Sequence, residues 1–313
     1  MDVRVVISID FGTTYSGFAY AHKVNTEIIT NDTWPDQIGN MPDNEKPVMP
    51  KGINYRKAIV DYLKCMGKLI KETIGTRWPN VKFMDQVLII LTVPAGFSDQ
   101  AKAIMRECIY EAGLINTKSS EKLQFTTEPE AAAVYCMKVL KEHILDIVGT
   151  NFLIVDCGVA AIVRGALEYG LNMKKIKSRR LPLSYGIELA PLWKPGDPPE
   201  RRQTHDRIFK FRRLVEKGIE VDTDEEFGLE LHPSYANQTE LSIEVYSTTA
   251  NEATYCDEPG MKKVGELRLD FPDPHLGFQR TIKFTLTFGQ MEIRAYARNQ
   301  QGKSTNAIFE FLI

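Results

Sequence analysis

Val5-Val6-Ile7-Ser8-Ile9-Asp10-Phe11-Gly12-Thr13-Thr14 is the stretch on which the reading of this chain turns. An apolar run ends in an acid, and a glycine with two hydroxyl residues then bends the chain. A second run, Phe152-Leu153-Ile154-Val155-Asp156-Cys157-Gly158, ends almost the same way. Two strands that each deliver an aspartate and a glycine-bearing turn predict a site for a magnesium-bound polyphosphate. The acids hold the metal's waters, while turn N–H groups and hydroxyls point at phosphate oxygens. After Gly158 the chain continues Val159-Ala160-Ala161, with neither a further glycine nor a threonine. Singly, each fragment has a plainer explanation. Asp, Gly and Thr are common turn residues, and an acid such as Glu128 is favoured at a helix N-terminus by the dipole alone.

Outward from these runs the first half alternates strands and helices. Val5–Asp10 and Gly17–His22 read as hairpin strands, with Glu27–Thr30 a candidate third. Pro35, Pro42, Pro47 and Pro50 then mark an irregular connection. Apolar residues at 59, 63, 66, 70 and 74 predict an amphipathic helix over 54–74. Val87–Val93 has the unbroken apolar character of a buried strand. Ser98 can cap a helix that Gly113 ends. A short strand at Phe125–Thr127 leads into a helix opened by Glu128-Pro129-Glu130, with proline suited to its first turn. Phe152–Asp156 reads as another buried strand and 160–170 as a helix. The alternation predicts an α/β domain.

The character changes near Arg180. Leu241, Ile243 and Val245 alternate with Ser242, Glu244 and Tyr246, and Phe284, Leu286 and Phe288 repeat the pattern. Gly289-Gln290 supplies a hairpin turn before a strand over Met291–Ala297, and Asn306–Phe311 can add a last one. The expected layout is an α/β domain over 1–170, a linker over 171–180 and an antiparallel β domain over 181–313. The basic cluster Lys174, Lys175, Lys177, Arg179 and Arg180 reads as a solvated part of that linker.

Composition narrows the function. The 39 basic and 41 acidic residues leave a net charge of -2, which favours neither nucleic acid nor an anionic membrane surface. No apolar run approaches the ~20 residues needed to span a bilayer. Cysteines 65, 108, 136, 157 and 256 form no CxxC pair and their number is odd. With no signal peptide recognisable, this predicts a reducing, cytoplasmic setting. The five histidines lack ligand spacing, so a zinc site is not expected.

The combined elements resemble the 70-kDa heat-shock chaperone family of the actin-like ATPase superfamily, in its divergent heat shock 70 kDa protein 12-like branch. The resemblance rests on IDFGTTYSGFAY (9–20), LTVPAGFSDQAKAIMRECIYEAGL (91–114), TTEPEAAAVYC (126–136) and LIVDCG (153–158). In the second half it rests on EVYSTTANEATYCDEPG (244–260), LRLDFPDPHLG (267–277) and FTLTFGQMEIRAYARN (284–299). It implies an actin-like (ribonuclease H-like) nucleotide-binding half, here truncated, followed by a β-sandwich that clasps extended apolar peptides or client proteins. Residue by residue, Asp10 and Asp156 would hold magnesium through water. Gly12, Thr13 and Thr14 would form the first phosphate turn, Gly158 would belong to the second, and Glu128 would help position the attacking water. ATP or ADP with magnesium is the implied cofactor, and metal-assisted ATP hydrolysis the implied reaction.

The chain departs from that pattern twice. An abrupt join between Ile38 and Asn40 omits a segment that carries the family's catalytic lysine. After Gly158 it passes directly to Ala160-Ala161-Ile162-Val163-Arg164-Gly165-Ala166, omitting a phosphate turn, most of a second lobe and the adenosine motif. The family's helical lid is likewise not expected after the β domain. Hydrogen bonds to a charged partner contribute roughly 1.5–3 kcal/mol each. Losing about three weakens a site by roughly a thousand-fold to a million-fold. Turnover is therefore expected to be impaired. The alternatives are a nucleotide-null member that acts only as a peptide- or protein-binding module and, on the same superfold, a small-molecule kinase.

Overall fold

The computed structural model describes residues 2–12, 15–35, 54–139, 158–271, 273–288, 291–299 and 304–308. The chain divides into two compact units, Met1–Ile176 and Lys177–Ile313.

The first unit is built on a five-stranded mixed sheet. Its strands are β1 (Val5–Phe11), β2 (Tyr15–His22), β3 (Ile29–Pro35), β4 (Val87–Val93) and β5 (Leu123–Thr127), in the order β3-β2-β1-β4-β5. β1, β2 and β3 pair antiparallel, while β1–β4 and β4–β5 are parallel. β4 is buried at all seven positions, as its apolar run requires of a strand covered on both faces. β3 begins at Ile29 and reaches Pro35, later than the expected strand over 27–30. The proline-marked connection after Pro35 and the strand expected at 152–156 lie outside the described residues.

Among the described residues the helices of this unit are α1 (Tyr55–Arg77), the single-turn α2 (Phe83–Gln86), α3 (Asp99–Glu111), α4 (Glu128–Val139) and α5 (Gly158–Leu171). α1 starts where Asn54 Oδ1 accepts the Lys57 N–H at 2.8 Å, and buries Val60, Leu63, Met66, Ile70 and Ile74. On one sheet face Phe11 meets Tyr62 of α1 edge-on, with centroids 5.4 Å apart. Ser98 caps α3 by accepting the Ala101 N–H at 3.1 Å, and Gly113, at φ 71°, takes the left-handed turn that ends it.

α4 and α5 cover the opposite face. Val6, Leu88 and Ile90 form one cluster there with Ala131 of α4 and with Ile162, Val163, Ala166, Leu167 and Tyr169 of α5. Burying Ile162, Val163 and Leu167 contributes roughly 1.5–3 kcal/mol each before ordering costs. Two glycines allow the approach. A Cβ on Gly165 would stand 1.7 Å from the Ala131 carbonyl oxygen, and one on Gly170 would lie 2.5 Å from Ile90 and 2.6 Å from Val6. The helix expected at 160–170 is thus present, and its apolar stripe packs on the first sheet within the same unit.

The second unit contains β6 (Ser178–Arg180), β7 (Ser184–Leu189), β8 (Lys210–Val215), β9 (Glu220–Asp222), β10 (Glu226–Leu231), β11 (Glu240–Thr248), β12 (Met261–Asp270), β13 (Ile282–Thr287), β14 (Arg294–Asn299) and β15 (Ser304–Ile308). Two four-stranded antiparallel sheets, β12-β11-β7-β8 and β10-β13-β14-β15, share one core. Tyr185, Ile187, Ile243, Val245 and Leu267 of the first sheet pack with Phe284, Leu286, Ala295 and Ala297 of the second. The alternation read at 241–246 and 284–288 is thus the inward face of a sandwich. β6 pairs with β9, so residues 178–180, assigned to a linker by composition, are a strand of this unit. β14 starts at Arg294 rather than Met291 and β15 at Ser304 rather than Asn306. The expected Gly289-Gln290 turn lies outside the described residues. Among the described residues no helix is long and apolar enough to cross a membrane.

Candidate functional site

In the first unit the chemistry-bearing residues collect at the C-terminal edge of the parallel strands. Asp10 of β1, Thr92 of β4 and Thr126 of β5 stand in register across three neighbours. All three are buried, Asp10 with 2% exposure. The Thr92 hydroxyl donates to Asp10 Oδ1 at 2.5 Å. With strands ~4.8 Å apart, the Asp10 and Thr126 backbones are about 10 Å from each other. Two residues beyond Thr126, the half-buried Glu128 opens α4. This edge is where open α/β sheets present ligand-binding groups.

The start of α4 separates two neighbouring glutamates. The Thr127 hydroxyl accepts the Glu130 N–H at 3.2 Å, and Glu130 Oε2 lies 3.5 Å from the Thr127 N–H and accepts from the Thr126 hydroxyl at 3.1 Å. Thr127 and Glu130 therefore make the reciprocal cap of the helix. Glu128 sits one residue past the cap, outside that exchange. On the next layer, the Ser8 hydroxyl donates to the Val163 carbonyl at 2.6 Å, tying α5 to β1 two residues before Asp10.

Of the acids and turn residues singled out from sequence, Asp10, Gly12 and Glu128 are in the described part, with Asp10 and Glu128 at the same sheet edge. Gly158 is the first residue of α5 rather than a turn glycine. Thr13, Thr14 and Asp156 lie outside the described residues. Among the described residues no group of three or more His, Cys, Asp or Glu could hold a metal ion. Among those residues, Asp10 and Glu128 do not form a ligand shell by themselves. Ser16 has a buried hydroxyl without a hydrogen-bond partner among the described residues. Registered opposite Phe11, it faces away from the Asp10 side of the sheet. Thr92 and Ser8 were missed as site partners, although each interrupts an otherwise apolar strand.

A second candidate lies in the β unit. The registers of β7–β8, β11–β7, β11–β12 and β10–β13 bring the connections 190–209, 232–239 and 271–281 to one end of the sandwich. These carry Leu192, Phe209, Tyr235, Leu276 and Phe278, all large and solvent-facing, with Phe278 61% exposed. Two arginines bind the connections together. Arg207 donates to the Ala190 and Ser234 carbonyls, both at 2.8 Å. Arg280, 3% exposed, donates to the carbonyls of Ala236 at 2.7 Å, Gln238 at 2.7 Å, Phe271 at 3.0 Å and Gly277 at 3.0 Å. Its guanidinium also stacks on Phe271, 4.6 Å from the ring centroid.

These connections also hold left-handed backbone. His205, Asp206 and Asp273 have φ values of 58°, 56° and 60°. That conformation costs most L-residues roughly 1–2 kcal/mol, less for Asp and Asn, whose side chains can bond locally. Sequence reasoning placed these segments within the β domain without assigning them a role. The signal available was large apolar residues inside them, as in His275-Leu276-Gly277-Phe278.

The outer face of the β12-β11-β7-β8 sheet carries a polar cluster. Burial pushes the Glu188 carboxyl above its usual range, and the neighbouring Glu244 adds to the effect. Burial also pushes the Cys256 thiol up to about 12, helped by Glu188. The Tyr246 hydroxyl donates to Glu244 at 2.7 Å and its own ionisation is displaced upward by burial. Glu266 is drawn down to about 2 by bonds from Ser242, Arg268 and Lys263. An un-ionised, half-buried thiol is a poor nucleophile, which argues against a nucleophilic role for Cys256.

No protein-family profile matches the chain. It is 31% identical over 166 residues to human heat shock 70 kDa protein 12A, a match covering 50% of this chain and 24% of that protein, and equally so to the mouse form. To human heat shock 70 kDa protein 12B it is 44% identical over 71 residues, 23% of this chain and 10% of that protein. The chain thus spans about a quarter of the length of the curated relatives it matches at greatest length. Over the matched half of the chain its sequence is similar to the heat shock 70 kDa protein 12-like branch of the 70-kDa heat-shock family.

Proposed function

We propose that this chain is a binding module for apolar segments of other proteins, of the 70-kDa heat-shock type, working through the loop end of its β unit. The observation that carries this reading is the set Leu192, Phe209, Tyr235, Leu276 and Phe278, each exposed on connections that meet at one end of the sandwich. Large side chains are normally withdrawn from water, and a group of them on ordered loops marks a surface for a partner. An extended peptide offers the complementary chemistry, since it can place apolar side chains among these five without first unfolding. The test is a titration of a fluorescent, uncharged Leu- and Phe-containing peptide followed by anisotropy. Saturable binding is expected, weakened roughly ten- to thirtyfold by Phe278→Asp. Absence of saturable binding to the unsubstituted chain ends this reading.

A second reading, ATP-linked action, is favoured by Asp10 at the sheet edge beside Thr92 with Glu128 at the neighbouring strand–helix junction. The ordering of these acids supports an actin-like lobe, as does the strand order β3-β2-β1-β4-β5. Asp10, Asp156 and Glu128 would hold magnesium–ATP through water, and Gly12, Thr13 and Thr14 would receive its phosphates. Bound magnesium would neutralise triphosphate charge. Asp10 would orient the waters around it, with the Thr92 hydroxyl fixing the carboxylate rotamer. Calorimetric titration with magnesium–ATP, lost in Asp10→Ala, is the expected result. No heat at millimolar ATP reduces the α/β unit to a structural role.

A further inference from the structure

Resting on the peptide-binding reading, we infer that Arg207 and Arg280 are positioning residues that hold the loop end of the sandwich as a preformed apolar platform. Their guanidinium groups reach carbonyls on all three connections, which backbone bonds join at few points, as where the Phe271 N–H donates to the Thr239 carbonyl at 2.7 Å. Arg207 joins the 190–207 connection to Ser234, and Arg280 joins Ala236 and Gln238 to Phe271 and Gly277. All the carbonyls they engage belong to the segments that carry Leu192, Tyr235, Leu276 and Phe278. A guanidinium is suited to this task, because its several N–H donors lie in one rigid plane and its charge is permanent.

The long 190–209 connection is further strapped at its outer side. Arg201 pairs with Asp257 at 2.9 and 3.0 Å and stacks on Tyr255 at 4.0 Å, while Lys210 pairs with Asp197 at 2.5 Å. Trp193 receives the Arg202 guanidinium on its ring at 4.8 Å, its indole N–H donates to the Pro198 carbonyl at 3.3 Å, and its backbone N–H donates to the Asp206 carbonyl at 2.6 Å. These restraints hold the left-handed turn at His205 and Asp206 directly before Arg207. A loop left to itself would relax from that turn and let its apolar side chains collapse onto the sandwich. With the arginines in place, a partner meets side chains whose ordering cost was met during folding, which raises affinity without adding a contact.

The experiment compares the unsubstituted chain with Arg207→Met, Arg207→Lys and Arg280→Met, reading two quantities on each. One is hydrogen exchange of the amides in 191–208, 233–239 and 273–279, together with Trp193 fluorescence. The other is peptide affinity by anisotropy. Arg280→Met strands several buried carbonyls and can unfold the unit, so the half-buried Arg207 carries the decision. Arg207→Met is expected to keep the circular dichroism of the β unit, lose exchange protection in 191–208 and 233–239, and bind peptide roughly tenfold more weakly. Arg207→Lys, which restores a donor but not the fork, should recover part of both. Unchanged exchange and unchanged affinity in Arg207→Met overturn the inference. If the unsubstituted chain binds no peptide, the binding reading fails. The exchange data then still decide whether the arginines hold the loops, because unchanged protection sinks that role and lost protection upholds it.

Discussion

The α/β unit and the β unit differ in where their exceptions to ordinary packing gather. In the α/β unit the exceptions are polar groups taken inside: Asp10, Thr92, Thr126 and Ser8 are all buried near the ends of apolar strands. Each has a partner within the unit, Thr92 for Asp10, Glu130 for Thr126 and the Val163 carbonyl for Ser8. In the β unit five large apolar groups are left outside on the connections at one end, fastened by Arg207 and the buried Arg280, whereas the exposed apolar groups of the α/β unit, Val24, Tyr110, Met137 and Val139, are spread over three separate segments. Residues that violate local economy tend to mark function. Exceptions answered internally add to the cohesion of a fold, whereas exceptions facing solvent are open to something else. The contrast assigns binding first to the β unit and leaves the α/β edge a role that depends on residues beyond Asp10 and Glu128.

The largest effect that can test the contrast comes from the α/β unit's close helix packing. Gly165→Leu places a Cβ where the Ala131 carbonyl stands, 1.7 Å away. Helix propensity alone would favour leucine by somewhat under 1 kcal/mol. A backbone carbonyl cannot rotate aside, so overpacking prevails and the unit is expected to lose about 3 kcal/mol or more. Calorimetry should then show the α/β transition lowered while the β-unit transition and peptide affinity stay where they were. A parallel fall of both transitions would break the separation into two independently organised units.

A smaller effect sharpens the assignment of roles at the start of α4. Thr127→Ala removes the cap's hydroxyl and should cost about 1 kcal/mol of α/β stability. Glu128→Ala, outside the reciprocal cap, should cost less than half as much in chemical denaturation. If Glu128→Ala proves the costlier change, Glu128 is a structural residue and its candidacy as a site acid falls.

The sequence made some layers of this molecule readable and hid others for identifiable reasons. Ser98 and Gly113 announced helix ends because capping is local and written in one or two residues. The runs at 5–9 and 87–93 announced buried strands because both faces of those strands are covered. Helix 158–171 was legible as a helix, but its place was not. Its apolar stripe states only that it needs a partner, and the decisive fact is the contact of Gly165 and Gly170 with residues far away in the chain. The Asp10–Thr92 pair was hidden for the same reason, since it depends on parallel register between strands separated by 82 positions. The apolar loop end was hidden because arginine-to-carbonyl bonds leave no sequence pattern.

The smallest effect concerns the polar row across the β unit, where the two kinds of exception meet. Glu188 follows Ile187 on β7 and Glu244 precedes Val245 on β11, and Ile187 and Val245 are registered partners. Glu244 in turn faces Glu266 on β12. Lys263 serves Glu244 and Glu266, leaving Glu188 between burial, Glu244 and the Cys256 thiol, with Lys263 and Asp257 further off. A carboxyl raised in the folded state favours folding below its unfolded value and loses that contribution as pH rises through the raised one. Glu266, lowered to about 2, behaves oppositely: its contribution is present above its ordinary 4.5 and fades as pH falls towards 2. Glu188→Gln should therefore match the unsubstituted chain near pH 4 and exceed it at pH 8 by about 0.5 kcal/mol, a figure held down by solvent screening at this half-exposed position. Urea denaturation followed by Trp193 fluorescence at both pH values measures the difference. A gap that is largest at pH 4, or constant across the range, would show that Glu188 acts through its hydrogen bond and not through its charge.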